Sequence, residues 1–312
     1  MLASIAKQEG STLIINGAEG IRALATADRC LRTATSDIAS SILRIDDFTK
    51  RTDMPLWEEL ASDYYDVLEL SKHSAAKLVA GIKVYLSLHV HSCCADTHAL
   101  ITELDSLIVY TWHIQSMAQH DFNRRSALED LISRAESLNA EQQRIVEARH
   151  TAVTREVEEA EINVNTYQRQ LQGLQDRRTL DAEQVSAFTD ERRTLEEEIQ
   201  CLEGGLADAQ TRLAKDQACL HGFQSAGWES TRNAMCMVVV YLKTYAEHIG
   251  VFAELQKQLW HEVDIYKHAL EGVKMFSTSV RRNALQEMQQ RVSSTACAWE
   301  GVAALIMNEY VK

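Results

Sequence analysis

One proline, Pro55, occurs in 312 residues, where a chain of this size ordinarily carries about fifteen. Proline is excluded from helix interiors because it lacks the amide donor and its ring collides with the preceding turn. Glycine is also sparse, at twelve residues, so little turn chemistry is available for building a sheet. Both shortages point to long helices. The 46% of apolar residues suffices for a core, which argues against disorder.

The formal charge of −13 argues against DNA or RNA as the main ligand and against a basic, curvature-sensing membrane face of BAR type. The N-terminus shows no basic region followed by an apolar run, so the expectation is synthesis in the cytoplasm without a cleaved signal. The seven cysteines, odd in number and scattered, read as small apolar residues in a reducing compartment. No window reaches about 18 uninterrupted apolar residues, so the chain is expected to be soluble as made.

Hydrophobic spacing divides the chain. Residues 1–17 show no clear period; Leu13-Ile14-Ile15 suggests a short extended piece and Asn16-Gly17 a turn. A first helix is expected from Glu19 to Phe48, with Leu24, Leu31, Ile38, Ile42 and Ile45 on one stripe. Pro55 fits the first turn of a second helix, where a missing donor costs nothing. That helix keeps its stripe from Leu60 to Leu107 and its pattern to near His120.

Residues 126–223 differ. About a third are charged, aromatics nearly vanish, and the stripe narrows to two positions per heptad. Leu128, Leu131, Ala135, Leu138, Ile145, Ala152, Ala160 and Val164 form one seam; Leu195, Ile199, Leu202, Leu206, Ala209 and Leu213 form a second. This is the pattern of an antiparallel coiled-coil hairpin with solvated flanks. Its tip is expected at Gly173–Glu183, where Asp181 and Gln184 suggest a capping box, with Gly204-Gly205 as the rival. Globular helical spacing returns from Glu229 to Met275 and again from Leu285 to Ile306. The expected fold is therefore all-α: an elongated bundle built from residues 1–125 and 224–312, with residues 126–223 projecting as a stalk.

Little in the sequence points to catalysis. His89, His91, Cys93, Cys94, Asp96 and His98 share helical faces, but an i to i+7 span of about 10 Å is too wide for one ion, so they read as core and interface residues. The runs Glu156–Glu161 and Glu196–Glu198 read as solvated flanks. No enzyme activity, cofactor, metal or small-molecule substrate is expected. The candidates for membrane or partner contact are Arg177, Arg178 and Leu180 near the tip, with Phe223 and Trp228 at the break after the second arm.

A helical body at both chain ends with a heptad hairpin between resembles the α-helical pore-forming toxins, in particular the two-component xenorhabdolysin-type subunits of the cytolysin A superfamily. The resemblance is one of element order over residues 19–310. It implies a subunit that is soluble as a monomer, is released, and assembles on a target membrane with a second helical subunit or with itself. It departs from the family at the tip, where Gln175, Asp176, Arg177 and Arg178 replace an apolar head. Burying such charge in hydrocarbon costs several kcal/mol per residue. On the resemblance, this chain is the less membrane-active partner, or the amphipathic stretch from Leu220 to Leu242 enters instead. The same heptads and reduced cysteines also suit an intracellular coiled-coil scaffold without catalytic activity.

Overall fold

The computed structural model describes residues 2–91, 97–112, 116–183, 189–225, 227–273 and 278–311. Among them the elements are all helical: α1 Leu2–Thr49, α2 Met54–His91, α3 Thr97–Trp112, α4 Ser116–Glu183, α5 Thr189–Ser225, α6 Trp228–His248, α7 Val251–Val273 and α8 Thr278–Leu305. A π-helical end, Ile306–Val311, follows α8. Pro55 is the second residue of α2, in its first turn as the sequence requires.

The chain divides into two compact units. The first combines residues 1–36, 56–137 and 234–312; the second combines 37–55 with 138–233. Neither is contiguous in sequence, because α1, α2, α4 and α6 each contribute to both.

In the first unit, wide apolar stripes meet. Ile21, Leu24 and Leu31 of α1, Leu60, Leu78 and Ile82 of α2, Met235 and Leu242 of α6, and Leu259 and Val263 of α7 are all buried. At roughly 25 cal/mol per Å2, each such side chain contributes about 1.5–3 kcal/mol. Gly17 allows α1 to approach α7 closely, since a Cβ there would stand 2.6 Å from Leu255 Cδ2. Gly20 plays the same part against Val251, where the Cβ would lie at 2.9 Å. This corrects the expectation of an irregular N-terminus with a turn at Asn16-Gly17: α1 runs unbroken from Leu2. The glycine serves packing there, not reversal.

In the second unit, α4 and α5 run antiparallel. Gly205 faces Tyr167, Gln217 Nε2 donates to Glu161 Oε1 at 3.3 Å, and Phe223 faces His150, so rising numbers on α5 meet falling numbers on α4. The seam buries Val146, Val153, Ala160 and Val164 from α4 and Leu195 and Ile199 from α5. Ile145 and Ala152, expected on the seam, sit one residue off it. Gln142 is the reason: it occupies a buried seam position that a count of apolar residues alone skips.

Both expected reversal points need correction. Residues 173–183 are the last turns of α4, so the expected reversal does not fall within them. Polar residues at seam positions there weaken burial without breaking a solvated helix of good helix formers. Gly204 and Gly205 lie inside α5. A Cβ at Gly205 would stand 3.0 Å from Tyr167 Cε1, so that glycine accommodates a ring.

The helix expected from Glu229 to Met275 is two, α6 and α7, divided at Ile249-Gly250, where Glu254 N–H donates to the Gly250 carbonyl at 3.1 Å. The single helix expected from Leu60 to near His120 falls in part on residues 92–96 and 113–115, outside the described residues. Within residues 193–272, one 18-residue window reaches a mean hydropathy of 1.2, long and apolar enough to cross a membrane by length and composition, and 39% of it is buried.

Candidate functional site

The residues expected to make contacts fall into two environments within the second unit. Arg177 and Arg178 are exposed on the last turns of α4, and Leu180 follows on the same helix. Phe223 and Trp228 are instead buried, 7% and 9% exposed. Phe223 stacks on Phe48 with ring centroids 4.2 Å apart, while His150 lies 5.6 Å and Trp228 6.5 Å away. In this conformation they are core residues of an aromatic cluster, not surface contacts. Heptad reading misses the cluster because Phe48 lies in another part of the chain. Between α5 and α6, Gly227 takes φ +73°, a left-handed conformation that favours glycine, and Thr231 N–H donates to its carbonyl at 3.0 Å.

The corner between α1 and α2 is also in the second unit. Asp46 Oδ2 accepts the N–H groups of Asp53 at 2.9 Å and Met54 at 3.0 Å, capping α2 from the preceding helix. Arg51 pairs with Asp53 at 3.3 Å and with Glu141 at 3.4 Å. Burial pushes the Asp53 carboxyl above the usual carboxylate range against the pull of Arg51, and the nearby Asp46 charge adds to the rise.

The first unit holds a buried polar network that sequence reading missed altogether. Tyr310 donates to Ser71 Oγ at 2.7 Å and shares a short hydrogen bond with the Tyr245 hydroxyl. Its ring packs on Phe252, centroids 5.1 Å apart. Tyr64 lies edge-on to Tyr245 and donates to Asp28 Oδ1 at 2.9 Å, and the same oxygen accepts Arg32 Nε at 2.9 Å. Burial pushes the Tyr310 hydroxyl up to about 12 and raises Tyr64 and Tyr245 as well, so all three stay protonated donors. Beside the network opens a cleft of about 680 Å3, lined by side chains of α1, α2 and the C-terminal turn. The signal for this site is a set of lone polar residues on apolar stripes, with the hydrogen-bonded pair Ser71 and Tyr310 lying 239 positions apart.

Among the described residues no group of three or more His, Cys, Asp or Glu side chains could hold a metal ion. The cluster His89 to His98 lies largely outside the described residues. The acidic runs lie on solvated flanks, Glu156 near Arg149 at 3.5 Å and Glu197 near Arg193 at 3.1 Å.

The described residues form an all-helical fold with a long antiparallel helix pair, and solved structures share this kind of architecture. The chain is similar to soluble SmhA of the tripartite alpha-pore forming toxin Smh from Serratia marcescens, at 13% identity and TM-score 0.53 over 94% of this chain and 92% of that one. It also aligns with the AhlB pore of the tripartite toxin AHL from Aeromonas hydrophila, at 11% identity and TM-score 0.49 over 95% and 98%. The likeness to SmhA shows the fold. No protein-family model matches the sequence, and no curated protein does.

Proposed function

We propose that the chain is a non-catalytic subunit of a multi-component α-helical pore-forming toxin, released from the producing cell and assembled with helical partner subunits or with itself on a membrane. The observation that carries this reading is the near end-to-end likeness to soluble SmhA, a component of a tripartite toxin. On this reading the first unit, residues 1–36, 56–137 and 234–312, acts as the bundle, and the antiparallel pair α4 and α5 acts as the hairpin.

On this reading the hairpin end does not enter hydrocarbon. Exposed Arg177 and Arg178 meet lipid headgroups or a partner's acidic side chains, with Leu180 as a shallow apolar contact. The more apolar stretch within residues 193–272 is the part that reaches the bilayer. Phe223 and Trp228 become available only when the aromatic cluster opens at the Gly227 joint. Vesicle leakage tests the reading: the chain mixed with helical proteins encoded beside it releases a trapped dye, and Arg177→Glu/Arg178→Glu lowers release at least several-fold. Intact vesicles with every such partner would overturn it.

A further inference from the structure

The cleft in the first unit carries charge of both signs, only part of which is paired within it. Its walls include Asp28, Arg29 and Arg32 of α1, Lys72 of α2, and Glu309 and Tyr310 of the C-terminal turn. Asp28 and Arg32 neutralise each other. Arg29 Nε donates to the Ala25 carbonyl at 3.4 Å. Among the described residues neither Arg29 nor half-buried Lys72 has a carboxylate within ion-pair distance, and Glu309 has no cation. In a chain where 45 acids face 32 bases, two uncommitted cations lining one cleft are a local reversal.

The spacing of these charges is held by the network beneath them. Lys72 follows Ser71 and Glu309 precedes Tyr310, so each stands one residue from the buried Tyr310–Ser71 hydrogen bond. Arg29 adjoins Asp28, which Tyr64 anchors. The opposite charges therefore line one cavity without closing on each other. Such a cavity is complementary to a dipolar ion whose two charges are several atoms apart.

We propose that this cleft binds a phosphate ester carrying an ammonium group, of the phosphocholine or phosphoethanolamine kind, with the phosphate on Arg29 and Lys72 and the ammonium on Glu309. A guanidinium and an ammonium together suit a tetrahedral oxyanion. The cavity's volume lies in the range of small-ligand sites and exceeds what inorganic phosphate fills. Because Arg29 and Glu309 are exposed and therefore solvent-screened, binding is weak, on the order of millimolar.

Calorimetric titration of the full chain with phosphocholine, choline and inorganic phosphate tests this. Phosphocholine binds at least several-fold tighter than either fragment. Arg29→Ala/Lys72→Ala, checked by thermal melting for an unchanged fold, loses phosphocholine and phosphate binding alike. Glu309→Gln leaves phosphate binding unchanged and brings phosphocholine down to the phosphate level. Phosphocholine no tighter than phosphate, or Glu309→Gln without effect on the preference, overturns the proposal. The source is read by sedimentation with phosphatidylcholine or phosphatidylglycerol vesicles. Phosphatidylcholine-selective binding that phosphocholine displaces marks a lipid headgroup; titration heat without vesicle binding marks a free ester. Both outcomes support the cleft. Because the titration needs no leakage, dye release without phosphocholine binding sinks the cleft and leaves the toxin reading standing.

Discussion

Tyr310 ties the C-terminal turn to the first unit, because its ring packs on Phe252 while its hydroxyl sits between Ser71 and Tyr245. Truncation to alanine removes a buried ring and strands two hydroxyls, so Tyr310→Ala should cost about 3–5 kcal/mol of stability in chemical denaturation. Tyr310→Phe keeps the ring and should cost only about 1–3 kcal/mol, the penalty for unpaired buried partners. Asp53 makes a pH prediction. Its carboxyl is raised in the folded chain, so the native state holds that proton more tightly than the unfolded chain does. Its contribution is then most favourable in acid and is lost as pH rises through the ordinary value of 3.8 and above the raised one. Asp53→Asn should therefore flatten the fall in stability between acid and neutral pH, read from melting temperatures across that range. A wild-type and variant difference that does not change with pH contradicts the account.

Helices of this chain were legible because spacing is a local property. The stripes through Leu24, Leu60 and Leu259 mark the helical character of segments within α1, α2 and α7 without reference to any partner, but not the start of α1 or the break between α6 and α7. Glycine is where local reading failed. Gly17, Gly204 and Gly205 look like breakers in sequence, yet Gly17 and Gly205 are helical positions facing a neighbour's side chain, and what they face is a long-range fact. The distinction can be measured. Gly204→Ala and Gly173→Ala meet nothing within 4 Å and should stabilise by roughly 0.5–1 kcal/mol through helix propensity. Gly17→Ala drives a methyl into Leu255 and should destabilise instead, with Gly205→Ala gaining less than Gly204→Ala because Tyr167 must give way. Equal effects at all four positions, in urea titrations, would show that the close approaches are not as described. The polar network was invisible for a related reason. Asp28, Tyr64, Ser71, Tyr245 and Tyr310 are single residues on otherwise apolar stripes, and only the tertiary fold brings them together.

For the whole molecule, order of elements carries more information than any motif. Helical termini around a charged, heptad-repeating middle specify which segments pack with which, even at 13% identity to SmhA. Many side-chain choices are compatible with such a scaffold, provided the stripes stay apolar and the flanks stay solvated. That freedom explains why no short signature marks the chain, and why its proposed role rests on architecture. Electron microscopy of the purified chain on liposomes, with helical proteins encoded beside it, tests that role most directly. The account predicts ring-shaped assemblies containing this chain. A fully folded, helical sample that stays unassembled on every lipid and with every such partner would contradict it.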